Sequence, residues 1–173
     1  MDEPDASPCT CIEEKELTVK ISSGSTARML DDRTIEVNLP SKMGYERIAM
    51  DFSACFARIL GFDPERIEDL RTAVSEASLN AMEHGNRWDS NRRVVVTINY
   101  DEESLTVFVV DEGRGMAQLP DERQVREKIA QLQPTRGLGI FLIRRLVDHV
   151  EFNRLTDQGH AVKMVITMAG ARS

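Results

Sequence analysis

The chain has 173 residues and a net charge of −7, which is long enough for one domain with a substantial core. Its ordinary apolar share and mixed charge exclude a disordered chain, and no apolar run approaches the roughly 18 residues of a membrane span. The acidic balance argues against an electrostatic grip on nucleic acid, which needs clustered Lys and Arg.

Residues 1–15 are rich in Asp, Glu, Pro and Ser and hold little to bury, so they predict a flexible acidic tail preceding a single domain over 16–173. The start, Met1-Asp2-Glu3, is acidic where a secretory signal would be basic, so a cytoplasmic location is expected. Cys9, Cys11 and Cys55 are read as reduced thiols, because no histidine lies near the Cys9/Cys11 pair to complete a zinc site. Leu17, Val19 and Ile21 alternate with polar neighbours, as do Ile35, Val37 and Leu39; the spacing predicts two strands joined by the Ser-Gly-rich segment Ser22 to Asp32.

Between Met43 and Leu60, Ile48, Phe52, Cys55, Phe56 and Ile59 fall at helical spacing, and Gly61 is placed to end the helix. A second helix follows, with Asp63 as N-cap, Pro64 in the first turn, a buried stripe of Ile67, Leu70, Val74, Ala77 and Ala81, and an end near Gly85. Val94 to Tyr100 and Leu105 to Val110 read as a hairpin. A polar segment from Met116 to Thr135 leads to a third helix, Leu138 to Asp148, and the chain closes on a hairpin of Val150 to Leu155 and Ala161 to Met168. The expected class is α+β: a two-layer sandwich with helices on one face of a mixed, mostly antiparallel sheet.

Three polar motifs interrupt this pattern. On the second helix, Asp69, Thr72, Glu76, Asn80 and Glu83 form a stripe away from the apolar face. A solvated face accounts for any one of the acids, but Asn80 has poor helix propensity among better formers, and a side-chain oxygen aimed at a metal would justify it. His84 is read as closing the helix. The stretch "DEGRG", Asp111 to Gly115, ends an apolar strand: its glycines allow a tight turn and close approach of a flat ligand, and its carboxylate can accept from an amino group. A plain strand-ending turn is the alternative. In "TRGLGIFLIRR", Thr135 to Arg145, Gly137 and Gly139 lead into a helix whose free N–H groups would face an anion. The Walker lysine and the dinucleotide-fold spacing are both missing.

The order of these motifs, Glu-x-x-x-Asn on a helix, then Asp-x-Gly-x-Gly after a strand, then Gly-x-Gly opening a helix, strongly resembles the Bergerat-fold (histidine-kinase-like) ATPase superfamily. Within it, Glu76 to Gly85 is most similar to the catalytic helix of the bacterial anti-sigma factor serine/threonine kinases, and the similarity runs from about Ile35 to Met168. The resemblance implies ATP and Mg²⁺ as cofactors, Asn80 as the Mg²⁺ ligand and Glu76 as the general base. It implies Asp111 at the adenine amino group, Gly113 and Gly115 shaping the adenine pocket, a lid over about 116–136, Arg136 near the phosphates, and Gly137, Leu138 and Gly139 contacting them. It further implies an anti-sigma-factor antagonist as substrate, a sigma factor or analogous signalling protein as binding partner, and a homodimer. A non-catalytic, nucleotide-dependent switch protein that sequesters a partner is the competing reading, and an isolated histidine-kinase domain ranks behind both.

Overall fold

In the computed structural model the described residues are 18–22, 25–113, 138–155 and 159–168. The elements in chain order are β1 (Thr18–Ser22), β2 (Ser25–Asp31), β3 (Thr34–Pro40), α1 (Glu46–Ile59), α2 (Pro64–Asn80) with a π-helical turn (Ala81–Gly85), β4 (Arg93–Tyr100), β5 (Ser104–Asp111), α3 (Leu138–Leu146), β6 (His149–Arg154) and β7 (His160–Thr167). Among the described residues, seven strands form one sheet in the order β1-β2-β3-β4-β5-β7-β6. The sheet expected to be mostly antiparallel is antiparallel at every one of these pairings.

The Ser22–Asp32 segment, expected as a connection, contains a strand of its own: β2 pairs with both β1 and β3. Its mixed polar sequence, STARMLD, lacks the period-two apolar pattern, and while Ala27 packs at the edge of the core, Arg28 to Asp31 are exposed. The expected tail over residues 1–15 falls outside the described residues.

The strands alternate, apart from Pro40 and Ala161, which are buried out of phase. Val37 and Leu39 of β3, Val94, Val96 and Ile98 of β4, Leu105, Val107 and Val109 of β5, and Met164 and Ile166 of β7 are all buried on the side facing the helices. The α2 stripe predicted from spacing, Ile67, Leu70, Val74, Ala77 and Ala81, is buried throughout against them. In α1 the buried positions are instead Ala49, Ser53, Ala54 and Ala57, while Phe52 and Phe56 are half-buried, Cys55 is exposed and Ile59 is 73% exposed. Small residues at the contact let α1 lie close to α2, and the larger rings pack at its edge, Phe52 on Phe56 at 5.2 Å.

Gly61 ends α1 with φ +83°, the left-handed conformation that a C-terminal glycine supplies without steric cost. Its N–H donates to the Arg58 carbonyl, and that of Phe62 to Ala57. Asp63 is the N-cap residue of α2 in extended conformation, with Pro64 following, but its side chain makes no capping bond.

Candidate functional site

The site begins where α2 stops being an α-helix. The Asn86 N–H donates to the Ala81 carbonyl at 2.8 Å, an i→i−5 bond that closes one wide turn. Such turns re-aim the residues that follow them and recur at functional sites. Here the turn carries Gly85 onto the end of β5: a Cβ at Gly85 would stand 2.5 Å from Asp111 Oδ2 and 2.7 Å from Oδ1. The chain then passes through Arg87 and Trp88, at φ 55° and 58°. Two successive side-chain-bearing residues in the left-handed region store strain that the surrounding bonds must hold.

Asn86 supplies much of that restraint. Its side chain, 1% exposed, donates to Ser41 Oγ at 2.7 Å and to the Arg93 carbonyl at 2.8 Å, and accepts from the Glu112 N–H at 2.9 Å. One buried amide therefore joins the ends of β3, β4 and β5 to the end of α2. Nothing in the sequence singled it out beyond its place after the helix-ending glycine.

Asp111 is 6% exposed, and its Oδ1 accepts from the Gly113 N–H at 2.8 Å. Burial raises its pKa above the ordinary carboxylate value, while the Gly113 bond and the nearby His160 ring act in the opposite direction. Gly113 is required by close approach, since a Cβ there would overlap the Gly85 carbonyl. Its own carbonyl accepts from the Gly159 N–H at 2.5 Å, which ties the β6–β7 turn to the end of β5.

Glu76 and Asn80, both half-buried, lie four apart on α2 and face the start of α3. At Gly139 a Cβ would stand 2.5 Å from Glu76 Oε2 and 3.3 Å from Asn80 Nδ2. The glycine thus opens a cradle in which a carboxylate, an amide and a helix start converge. That set suits a Mg²⁺ ion shared with phosphate groups, which takes few protein oxygens and keeps several waters. No group of three or more His, Cys, Asp or Glu among the described residues forms a self-sufficient metal cage.

Between α2, α3 and the β5-β7-β6 end of the sheet lies a cavity of about 220 Å³. Ala77, Ala81, Val109, Ile140, Phe152 and Val162 give it apolar walls, and Asn80, Asp111, Asn153, Arg154 and His160 place polar groups on it. The structure thus brings Asn80, Asp111, Gly85 and the first turn of α3 around one space, with Glu76, Leu138 and Gly139 at its margin. Gly115, Arg136, Gly137 and the expected lid over about 116–136 lie outside the described residues. Sequence reasoning missed His160 and Arg154. A signal existed for the first: Val162, Met164 and Ile166 alternate toward the helices, so His160 falls on that same side as a polar residue on an apolar face.

A helix-on-sheet sandwich with an apolar cavity ending on a buried carboxylate, opened by glycines at two helix termini, defines a nucleotide-binding domain. Residues 39–166 match the histidine kinase-like ATPase domain, and the chain belongs to that family of ATP-binding domains. It is similar to Serine-protein kinase RsbW of Bacillus subtilis (strain 168), 30% identical over 146 residues covering 80% of this chain and 88% of the relative. The protein of the same name from Oceanobacillus iheyensis is 28% identical over 127 residues, covering 69% of this chain and 78% of that one. A crystal structure of the RsbU and RsbW domains of a Mycobacterium tuberculosis protein shares the fold, with a TM-score of 0.56 at 19% identity. It aligns with 80% of this chain, which spans 33% of that longer one.

Proposed function

We propose that this protein is an ATP-binding anti-sigma regulatory factor and serine/threonine protein kinase that phosphorylates an anti-sigma-factor antagonist in a partner-switching pathway. The observation that carries the reading is the pairing of Glu76 and Asn80 on one face of α2 against Gly139, beside a cavity that ends on Asp111. Similarity to proteins named serine-protein kinases supports the reaction type.

Phosphoryl transfer requires in-line positioning and charge neutralisation more than covalent help. In this reading Asp111 accepts a hydrogen bond from the adenine amino group, and Gly113 and Gly115 let the base lie against backbone. The N–H groups at Gly137, Leu138 and Gly139 face the phosphates, as the start of a helix suits, and Arg136 adds positive charge. Asn80 holds the Mg²⁺ that neutralises the phosphates when bound. Glu76 orients the acceptor hydroxyl and takes its proton as the new O–P bond forms and the bond to the departing ADP oxygen breaks.

The acceptor is a serine or threonine on the antagonist, a separate chain; in the free state the kinase holds a sigma factor or analogous protein, and the phosphorylated antagonist releases its grip. Residues 16–173 act as one ATPase domain with a lid over about 116–136, in the cytoplasm, as a homodimer. Among the described residues no helix is long and apolar enough to cross a membrane.

The test is transfer of γ-labelled phosphate from ATP with Mg²⁺ to candidate antagonist proteins, with Glu76→Gln and Asn80→Ala in parallel. Label on one antagonist that disappears with both variants is expected. ATP binding that Asn80→Ala weakens, without label on any antagonist, would instead favour the non-catalytic switch.

A further inference from the structure

The strained turn after α2 presents two side chains to solvent. Arg87 and Trp88 both hold left-handed backbone, and both are exposed, Trp88 at 37%. Backbone strain of this kind persists where a required placement maintains it. Glycine or asparagine would occupy either position at less cost, and neither is present. The Arg87 side chain makes no hydrogen bond or ion pair among the described residues, so the strain serves no polar contact of that side chain within the fold.

A second turn lies against the first. The Ser41 N–H donates to the Arg92 carbonyl at 3.2 Å and the Asn86 amide to Ser41 Oγ at 2.7 Å, which sets Lys42 and Met43 beside Arg87 and Trp88. Met43 is 82% exposed, the most exposed large apolar side chain among the described residues. Lys42 is exposed and, like Arg87, has no polar partner among them. The two turns carry Lys42, Arg87, Arg92 and Arg93 against one acid, Asp89, which faces Arg92 at 3.5 Å. Glu46 and Glu112, next in the chain, are turned onto the N–H groups of Gly44 and Arg93 at 2.7 and 2.8 Å. A chain of net charge −7 therefore gathers positive charge at one corner, around an aromatic ring and a methionine. Tryptophan, methionine and arginine are the residues enriched at the centres of protein interfaces.

We propose that this corner is the docking surface for an acidic face of the protein whose serine or threonine is phosphorylated: Trp88 and Met43 enter apolar recesses of that face, and Lys42 and Arg87 meet its carboxylates. The proposal rests on the kinase reading and adds where the substrate protein is gripped. Charge complementarity selects the occupant, because the net charge of the chain repels such a partner and this corner attracts it, which fixes its orientation. Gly85, two residues before Arg87, lines the cavity, so the grip lies at the nucleotide end of the sheet. The chain's own acidic N-terminus enters the fold from the other end: β1 starts opposite Arg28 and ends opposite Ser25, so its first residue points toward the Asp31 end of β2, remote from Pro40 and Ser41. Nucleic acid would need a longer basic track, since its affinity comes from many phosphate contacts.

Steady-state transfer of γ-labelled phosphate to the antagonist by the full chain, as wild type and as Lys42→Glu, Arg87→Glu, Arg87→Lys, Arg87→Gly and Trp88→Ala, tests this. Lys42→Glu, Arg87→Glu and Trp88→Ala should each raise KM for the antagonist on the order of tenfold and leave kcat and the ATP dissociation constant unchanged. Wild-type kcat/KM should fall with added salt, and less steeply in the two charge reversals. Arg87→Lys should keep most of the wild-type KM. Arg87→Gly relieves the left-handed backbone, so it should hold or raise the urea midpoint while still raising KM, a combination that misfolding cannot produce. An unchanged KM in both charge reversals overturns the proposal alone, since label transfer by wild type leaves the kinase reading standing. A KM rise matched by equal weakening of ATP also overturns it. Wild type that labels no candidate antagonist removes the kinase reading and this proposal with it. Binding of single-stranded RNA or phosphatidylserine vesicles that these variants abolish while sparing KM would assign the corner to another partner and overturn the proposal.

Discussion

Gly139 and Gly113 sit at opposite ends of the site, and the same added methyl has different consequences at each. At Gly139 the methyl would meet the far end of the flexible Glu76 side chain, which can swing away, and alanine has a helix propensity up to about 1 kcal/mol better than glycine. Gly139→Ala should therefore leave stability in urea unchanged or slightly raised while weakening ATP binding by roughly tenfold or more, because Glu76 is displaced and the approach to α3 is blocked. At Gly113 the obstacle is backbone, the Gly85 carbonyl, so Gly113→Ala should lower stability by about 1–3 kcal/mol in the same assay. Asp111 provides a pH signature. Burial raises its pKa in the folded chain above its value in the unfolded chain, so the native state binds this proton more readily. Its contribution to stability is greatest below the ordinary carboxylate range and is lost as pH rises through the raised native value. Asp111→Asn cannot ionise, so its stability relative to wild type should increase as pH rises from about 4 toward neutrality and then level off. A difference that stays flat across urea titrations at several pH values would contradict this.

At the level of elements, α2 and α3 are joined by a buried ion cluster. Arg66, in the first turn of α2 and 6% exposed, donates to Asp148 at 2.5 Å, to the Leu146 carbonyl at 3.3 Å and to Asp69 at 3.4 Å. Asp148 in turn accepts from the Thr167 N–H at 2.7 Å and its hydroxyl at 2.9 Å. The C-terminal end of α3 is thereby clamped to α2 and β7, which sets where the helix's other end, with Gly139, meets Glu76. Arg66→Ala should cost about 3 kcal/mol, as removal of one partner from a buried pair does, read as an earlier guanidinium midpoint. These contacts explain what the sequence did and did not disclose. The stripe of α2 was legible because its large apolar side chains face a sheet that buries them completely. The face of α1 was read from its largest residues, whereas the contact is made by alanines, which carry little hydrophobic signal of their own. Glu76, Asn80 and Asp111 were legible as motifs at fixed local spacing. Arg66, Asn86 and His160 act with residues 80, 45 and 49 positions away, and no local pattern encodes such meetings.

Among the described residues, the helices cover one face of the sheet and none covers the other. On that bare side Thr97, Phe108 and Lys163 align across β4, β5 and β7, flanked by Val95 and Val110. These apolar positions are half-buried, with no described helix over them. If a second copy covers this surface, as the homodimer proposed here requires, light scattering should give twice the chain mass, and Phe108→Glu should reduce it to that of a monomer without altering ATP affinity. The strained turn beyond α2 has a different use. Trp88 is the chain's single tryptophan; it is 37% exposed and bonded through its N–H to Met82 inside the π-helical turn, a few residues from the glycine that packs on Asp111. The molecule thus carries a built-in fluorophore beside the turn whose Gly85 lines the cavity. Changes in its emission should let rapid-mixing experiments follow nucleotide arrival and departure in real time on unlabelled protein.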